Sequence, residues 1–551
     1  FSAFQNTAFE ATPLMVDGVL YTSTSFSQVA AINASDGTSI WTYDPQAYKY
    51  ARPPNNGFLH RGVSYIEGRL GKFIHMPTGD GRLISLNAIS GEPVSQFGVL
   101  SNGVVDLLEG VPRLNESTMR LDDAHDQPDV PDFAGVVSQI GNSSPGIICR
   151  NTLVLGSSIH DGEVLPPSPP GDVRGFDPHS GELLWTFHTV PREGEFGVDT
   201  WMNESWKVNG NTNVWPPMSA DETLGMVYLP TGVPTNNYYG GRRHGDNLFA
   251  NSVVALDCET GERVWHFQTV HHDIWDYDLP AAPNLVDIEV EGQSIKALVQ
   301  VTKQGFLFVF DRETGEPVWP IIETPVPASD VPGELASATQ PIPSWPLPFV
   351  RQGSSRDDIV DQTAVANYSF GPLYTPPTTN GLVITPGEGG GANWGGAAFD
   401  PETKVLYVVG FGPLTHVVTL QDGGQPDFYY GLPELLFGPA SASPYGGDGS
   451  KITAYNMNSG EILWQVAGSS DSKTIGNSSV MISGDLLYYK NSSLGTLNVF
   501  SKSDGKLLRE IPLGGRPTGS PMTYSIDGKQ FVVIALGRQD EKMELVTLSL
   551  P

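Results

Sequence analysis

The 551-residue sequence predicts an all-β fold, an eight-bladed β-propeller with tryptophan-docking repeats. Three observations predict it. One short turn pattern recurs along the chain. Glycine (62) and proline (45) punctuate it throughout. Val, Tyr, Trp and Thr are frequent in the intervals, a composition that favours short strands and turns over helices.

The turn pattern is A-x-[DN]-x-x-[ST/D]-G, set between two strands, the second often carrying a Trp. Its first copy is Ala31-Ile32-Asn33-Ala34-Ser35-Asp36-Gly37, followed by Trp41. The second is Leu86-Asn87-Ala88-Ile89-Ser90-Gly91. Further copies end at Gly181 (then Trp185), Gly261 (Trp265), Gly315 (Trp319) and Gly460 (Trp464), and the copy ending at Gly505 has lost its Trp. Close copies lie 54 residues apart (Gly37 to Gly91, Gly261 to Gly315) or 45 apart (Gly460 to Gly505). That is the period of a propeller blade. One blade cannot bury both of its faces. Blades packed in a ring can, with the repeated Trp filling each interface.

Seven copies are countable. The gap from Gly315 to Gly460 leaves room for a missing one, with Gly381-Leu382-Val383-Ile384 and Val405-Leu406-Tyr407-Val408-Val409 as its expected strands. A single propeller domain over 1–551 is therefore expected. Long insertions rich in Gly, Pro and aromatics fall near 325–375 and 413–450, where they are expected to cover the ligand-binding mouth of the ring.

The formal net charge is −30. Nucleic acid is a poor partner for such a surface, because binding it relies on cationic side chains. A site for an anionic ligand must make its positive charge locally, from a few Arg or Lys and a metal. No apolar run is long enough for a transmembrane segment. No C-x-x-C-H occurs, so covalent c-type haem is not expected on this chain. No signal peptide is visible ahead of Phe1, and a periplasmic or secreted location is expected. Cys149 and Cys258 allow one disulfide, which the sequence does not decide.

One stretch is chemically dense: His271-His272-Asp273-Ile274-Trp275-Asp276-Tyr277-Asp278-Leu279-Pro280. Carboxylates this close repel unless a cation neutralises them. In an extended segment Asp276 and Asp278 share a face. The local reading is a metal-and-base loop following the strand Arg263-Val264-Trp265-His266-Phe267-Gln268. The bland alternative is a polar loop whose aspartates cap turns.

From end to end the chain resembles the pyrroloquinoline quinone (PQQ) dependent dehydrogenases. The resemblance is carried by Phe9-Glu10-Ala11-Thr12-Pro13-Leu14, Arg61-Gly62-Val63-Ser64-Tyr65, Gly171-Asp172-Val173-Arg174-Gly175-Phe176-Asp177 and Ser520-Pro521-Met522-Thr523-Tyr524. The H-H-D-x-W-D-x-D-L-P run is most similar to the glucose dehydrogenase branch, though without that branch's membrane helices. The adjacent cysteines of the alcohol dehydrogenase branch are missing, since Asn55-Asn56-Gly57-Phe58-Leu59-His60 stands there.

The resemblance implies roles. Asp276 would be the catalytic base, and Lys303 would hydrogen-bond the reactive quinone carbonyl. Trp215 would be the floor for the cofactor ring. Glu10, Arg61 and Ser143 would touch its rim and carboxylates, and Asn393 and Trp394 would contact it from the sixth blade. Asp161, Thr235 (standing in for the family's usual Asn), Asp276 and Asp278 would hold the metal. Calcium is the first expectation and a lanthanide the alternative. The implied reaction is oxidation of a hydroxyl of a sugar, polyol, or cyclic or secondary alcohol. Electrons would pass to an external acceptor, a cytochrome c or a quinone. The competing expectation is a non-catalytic propeller scaffold of the outer-membrane assembly type.

Overall fold

A computed structural model of the chain describes residues 7–55, 57–111, 137–160, 166–358, 363, 365–411, 415–424, 429–435, 450–468, 478–538 and 541–549. Each turn copy closes a strand pair of one antiparallel sheet. Leu14–Val16, Val19–Ser23, Val29–Asn33 and Ser39–Tyr43 form the first sheet. Sheets two, three and four are likewise four-stranded and follow in chain order, over 64–106, 147–187 and 219–268. The fifth has three strands, Asn284–Val290, Gln293–Val301 and Leu307–Asp311. The sixth joins Ala397–Asp400 and Val405–Gly410 to Lys451–Asn456 and Glu461–Ala467. The seventh spans 480–512, and the eighth has three strands, Met522–Ile526, Lys529–Leu536 and Glu544–Ser549.

The core lies between the sheets. Tyr21 and Ala31 of the first pack with Ile74 and Leu86 of the second. Leu83 meets Leu153 and Phe176 of the third. The pattern continues from sheet to sheet to Leu497 and Leu513 of the seventh against Ile534 of the eighth. Val533 and Tyr524 of the eighth pack on Leu20 of the first, which closes the ring. This is the expected β-propeller.

The repeat explains its own residues. The Asp or Asn of the turn accepts two backbone N–H groups, as Asp257 does from Glu259 and Thr260, an Asx turn. The following carbonyl accepts the indole of the preceding blade: Trp41 Nε1 to Ala88 O, Trp185 Nε1 to Cys258 O and Trp265 Nε1 to Arg312 O, each at 3.0 Å. The turn glycine has two reasons to be glycine. At Gly261 φ is +70°, and a Cβ there would lie 2.4 Å from the Trp185 ring. Only a residue without a side chain meets both conditions at low cost.

Two sequence expectations are corrected here. Among the described residues the Gly315–Gly460 gap holds no missing blade. Val405–Gly410 pairs with Lys451–Asn456, so it belongs to the copy ending at Gly460. Leu382–Ile384 instead pairs with His416–Asp422 in a separate three-stranded sheet completed by Tyr429–Leu435. The sheet without a recognisable turn copy is the last one. Second, Trp319 does not dock in the usual way. Trp345 donates Nε1 to Ser459 O at 2.7 Å and lies against Gly460. Its segment arrives after a hairpin of Ile321–Pro325 with Thr339–Pro343. Much of the 413–450 insertion lies outside the described residues.

The seam between the eighth and first sheets is different. No indole reaches Gly37, whose Cβ position is open. Tyr524 hydroxyl donates to Ala34 O at 2.9 Å in place of the missing Trp. Beside it is a cavity of about 600 Å³ whose lining includes Leu20, Phe26, Tyr524, Phe531 and Met543. Thr518 Oγ1 to Phe9 O, 2.6 Å, and Phe9 N to Gly537 O, 3.0 Å, tie the ends of the ring together.

Cys149 and Cys258 form a disulfide, Cα–Cα 5.8 Å, across 109 residues of sequence. It staples the first strand of the third sheet to the turn of the fourth, beside the Trp185 contact. Replacing both cysteines with serine is expected to cost about 2–4 kcal/mol. Thermal unfolding in non-reducing buffer checks this, and an unchanged Tm would count against it.

Candidate active site

The dense stretch lies in an irregular loop between Arg263–Gln268 and Asn284–Val290. Its shape is set by Asp273. That carboxylate accepts Trp275 N at 2.8 Å, Tyr277 N at 2.7 Å and Asn251 Nδ2 at 2.8 Å. Burial pushes its pKa up to about 6, against the pull of the two amides. Trp275 Nε1 reaches Thr375 O and Tyr277 hydroxyl reaches Pro386 O, each at 2.7 Å. His272 Nε2 lies 2.7 Å from Glu334 and Nδ1 lies 2.8 Å from Gly245 O, so both ring nitrogens are engaged. The loop is thereby hung from the 325–375 insertion through Glu334 and Thr375, and from Gly245, Asn251 and Pro386 outside it.

Asp276 stands at φ +62°, a left-handed conformation that costs a non-glycine residue about 1–2 kcal/mol. Lys303 holds it there. Its ammonium donates to Asp276 O at 2.8 Å and lies 3.1 Å from both Asp276 Oδ2 and Asp278 Oδ2. All three side chains are buried. The two aspartates therefore converge, although the backbone at Asp276 is not extended. Gly390 lies flat against Lys303, where a Cβ would come within 2.6 Å of its Cγ.

Asp278 is fully engaged. One oxygen accepts Val233 N at 2.6 Å, and the other accepts Trp215 Nε1 at 3.3 Å as well as Lys303. It links the candidate base to the candidate ring floor. Arg61 comes next. Its guanidinium lies 5.4 Å from the Trp215 ring centre and 5.0 Å from that of Trp394. It donates to Ser143 Oγ at 2.9 Å and Ser144 Oγ at 3.3 Å, and pairs with Glu10 at 3.1 Å. Burial pulls its pKa down, opposed by Glu10. Arg61 Nε and Trp394 Nε1 are buried without a hydrogen-bond partner among the described residues. Two indoles, a guanidinium, two hydroxyls and unused donors fit a flat, polyanionic ligand.

A family model described as PQQ: glucose/ethanol/alcohol dehydrogenase, β-propeller domain, matches residues 2–429 and 431–532. The chain belongs to this family. Quinoprotein glucose dehydrogenase A of Acinetobacter calcoaceticus is 28% identical, over 96% of this chain and 71% of its own. The glycerol dehydrogenase large subunit of Gluconobacter oxydans is 28% identical, over 99% and 79%. The crystal structure of quinohemoprotein alcohol dehydrogenase from Comamonas testosteroni shares the fold, with a TM-score of 0.72, 23% identity, and coverage of 100% and 76%. The quinoprotein is an oxidoreductase acting on CH–OH groups, and nothing favours the scaffold alternative.

The structure brings Glu10, Arg61, Ser143, Trp215, Trp394, Lys303, Asp276 and Asp278 into one connected network. Asn393 serves its own loop, donating to Gly389 O at 3.1 Å. Thr235 bonds Ser168 Oγ at 3.1 Å. The carboxamide that reaches Asp276 is that of Asn237, with Nδ2 3.0 Å from Oδ1. The Asn-Asn pair just after Thr235 was the available signal. Asp161 lies outside the described residues. Among the described residues, no three His, Cys, Asp or Glu side chains are grouped to hold a metal, and no helix is long and apolar enough to cross a membrane.

Proposed function

We propose that the quinoprotein oxidises a hydroxyl of a sugar, polyol, or cyclic or secondary alcohol, with Asp276 as the base. The observation that carries this is the unbroken line of contacts from Asp276 through Lys303 and Asp278 to Trp215 and Arg61. It sets a buried carboxylate beside a platform for a planar anion. When bound, PQQ supplies an ortho-quinone able to accept a hydride. Asp276 takes the hydroxyl proton, which must leave as the C–H bond breaks. Lys303 fixes the carboxylate and places positive charge where negative charge develops. Asp278 positions both Lys303 and Trp215. Trp215 and Trp394 would hold the ring, and Arg61 and Ser143 would take its carboxylates, with Glu10 at the rim holding Arg61 in place.

A hard cation suits the oxygen donors near Asp276. The residues that would hold it are Asp276, the neutral oxygens of Asn237 and Thr235, and Asp161. With Asp278 committed to N–H and ammonium donors, calcium remains the first choice and a lanthanide the alternative. The disulfide and the acidic surface fit a periplasmic or secreted location. The acceptor of electrons would be a separate cytochrome c or quinone.

Metal-stripped protein titrated with PQQ, with calcium and lanthanum in parallel, tests the reading. A stoichiometric shift of the quinone band is expected, then bleaching by a panel of sugars, polyols and cyclic alcohols. No spectral change with either metal would overturn it.

A further inference from the structure

A second cation lies at the same platform. Lys490, in the strand Leu486–Asn491 of the seventh sheet, is fully buried. Its Nζ is 4.8 Å from the centre of the Trp394 ring, the indole that Arg61 also faces at 5.0 Å. Among the described residues its one side-chain hydrogen bond goes to Thr518 O, at 2.8 Å. No carboxylate lies within 4 Å of it among the described residues, whereas the neighbouring Arg61 has Glu10. An ammonium has three N–H donors, and a buried charge without a partner is costly. Around the Trp394 ring two cations, Lys490 and Arg61, thus face one carboxylate, Glu10, while Lys303 is taken up by Asp276 and Asp278, in a chain whose formal net charge is −30. A buried local excess of positive charge has a use if an anion enters.

We propose that Lys490 is an anion-binding residue of the site, pairing with a carboxylate of the bound quinone alongside Arg61 and taking up a proton as it does so. This rests on the cofactor reading above. The charged groups facing Lys490 are Glu10 and Arg61. Burial pulls its pKa down to about 7, opposed by Glu10 and aided by Arg61. An added carboxylate favours the charged ammonium and raises that value again. Above pH 7 binding therefore draws a proton from solution, and affinity falls as pH rises, by at most about tenfold per unit.

The test is equilibrium titration of the full chain with PQQ at fixed saturating calcium, at pH 6.5 and pH 8.5, followed by quinone absorbance. Proton uptake is read with an indicator dye in weak buffer. Wild type is expected to bind more tightly at pH 6.5 and to take up protons at pH 8.5. Lys490→Met should weaken binding about tenfold or more at pH 6.5 and remove most of the uptake. Lys490→Arg, always charged, should keep the affinity and flatten its pH dependence. Thermal unfolding of both variants checks the fold, and the wild-type proton count stands without them. The proposal is overturned if a folded Lys490→Met chain matches wild type in affinity and proton uptake. If wild type fails to bind PQQ, the cofactor reading falls and this inference with it.

Discussion

Asp276→Asn is expected to lower kcat by about 10²–10⁴-fold with little change in KM. The substitution keeps the shape and an oxygen for Asn237 Nδ2, which lies 3.0 Å from Oδ1. Lys303 keeps its bonds to Asp276 O and Asp278. What is lost is the proton acceptor, together with one anionic donor to the metal, so calcium is kept saturating; loss of the acceptor is felt when the C–H bond breaks rather than when substrate binds. Lys303→Met should also slow turnover, but through a different cost. It leaves two buried carboxylates facing each other without their shared ammonium, so stability falls as well, by about 3–5 kcal/mol. Steady-state kinetics of the PQQ-loaded enzyme, set beside urea unfolding, separates the two. Full turnover by Asp276→Asn would remove the base assignment.

Glu334→Ala is expected to destabilise the chain by about 3–5 kcal/mol, because it strips His272 of its buried partner. His272 and Glu334 side chains are 1% and 2% exposed, 2.7 Å apart. Glu334 also accepts Gly240 N at 2.6 Å. Burial pushes the Glu334 carboxyl up, but the His272 bond and charge, the Gly240 amide and Arg243 outweigh it and hold it below its ordinary value. A depressed carboxyl pKa stabilises the folded state above the unfolded value and loses that contribution as pH falls through the folded one. The contribution of the Glu334 carboxylate should therefore be in place above about pH 5, given an ordinary glutamate near 4.3. Urea unfolding at pH 7 and at pH 3.5 checks it. The gap between wild type and Glu334→Ala should narrow at the lower pH, and a constant gap would refute the assigned cause.

The propeller was legible in the sequence because its repeat is local. An Asx turn, a left-handed glycine and a docking Trp fall within a dozen residues, so seven copies could be read without tertiary knowledge. The blade split by an insertion was not legible in this way. Val405–Gly410 and Lys451–Asn456 are adjacent strands separated by about forty residues, and apolar runs do not name their partners. The same limit hid Trp345, which replaces Trp319 from a distance. At the site, Asp276 and Lys303 were readable from dense chemistry and family likeness. Asn237 was missed by two positions. Lys490 and Glu334 carry no local signal at all: a lone lysine in a strand and a lone glutamate in a loop normally face water, and only the fold buries them.

The joint between the eighth and first sheets, closed by a phenol instead of an indole, has a further consequence. The groups around the platform come from both sides of it. Glu10 and Arg61 belong to the start of the chain, Lys490 bonds Thr518 near its end, and Thr518 also bonds Phe9. A nascent chain cannot assemble them until its last sheet has left the ribosome and met its first. A small molecule held between those groups would act as a clasp across the joint, so that occupancy of the centre would favour closure of the circle. Spring the ring at this joint, and the binding site comes apart with it.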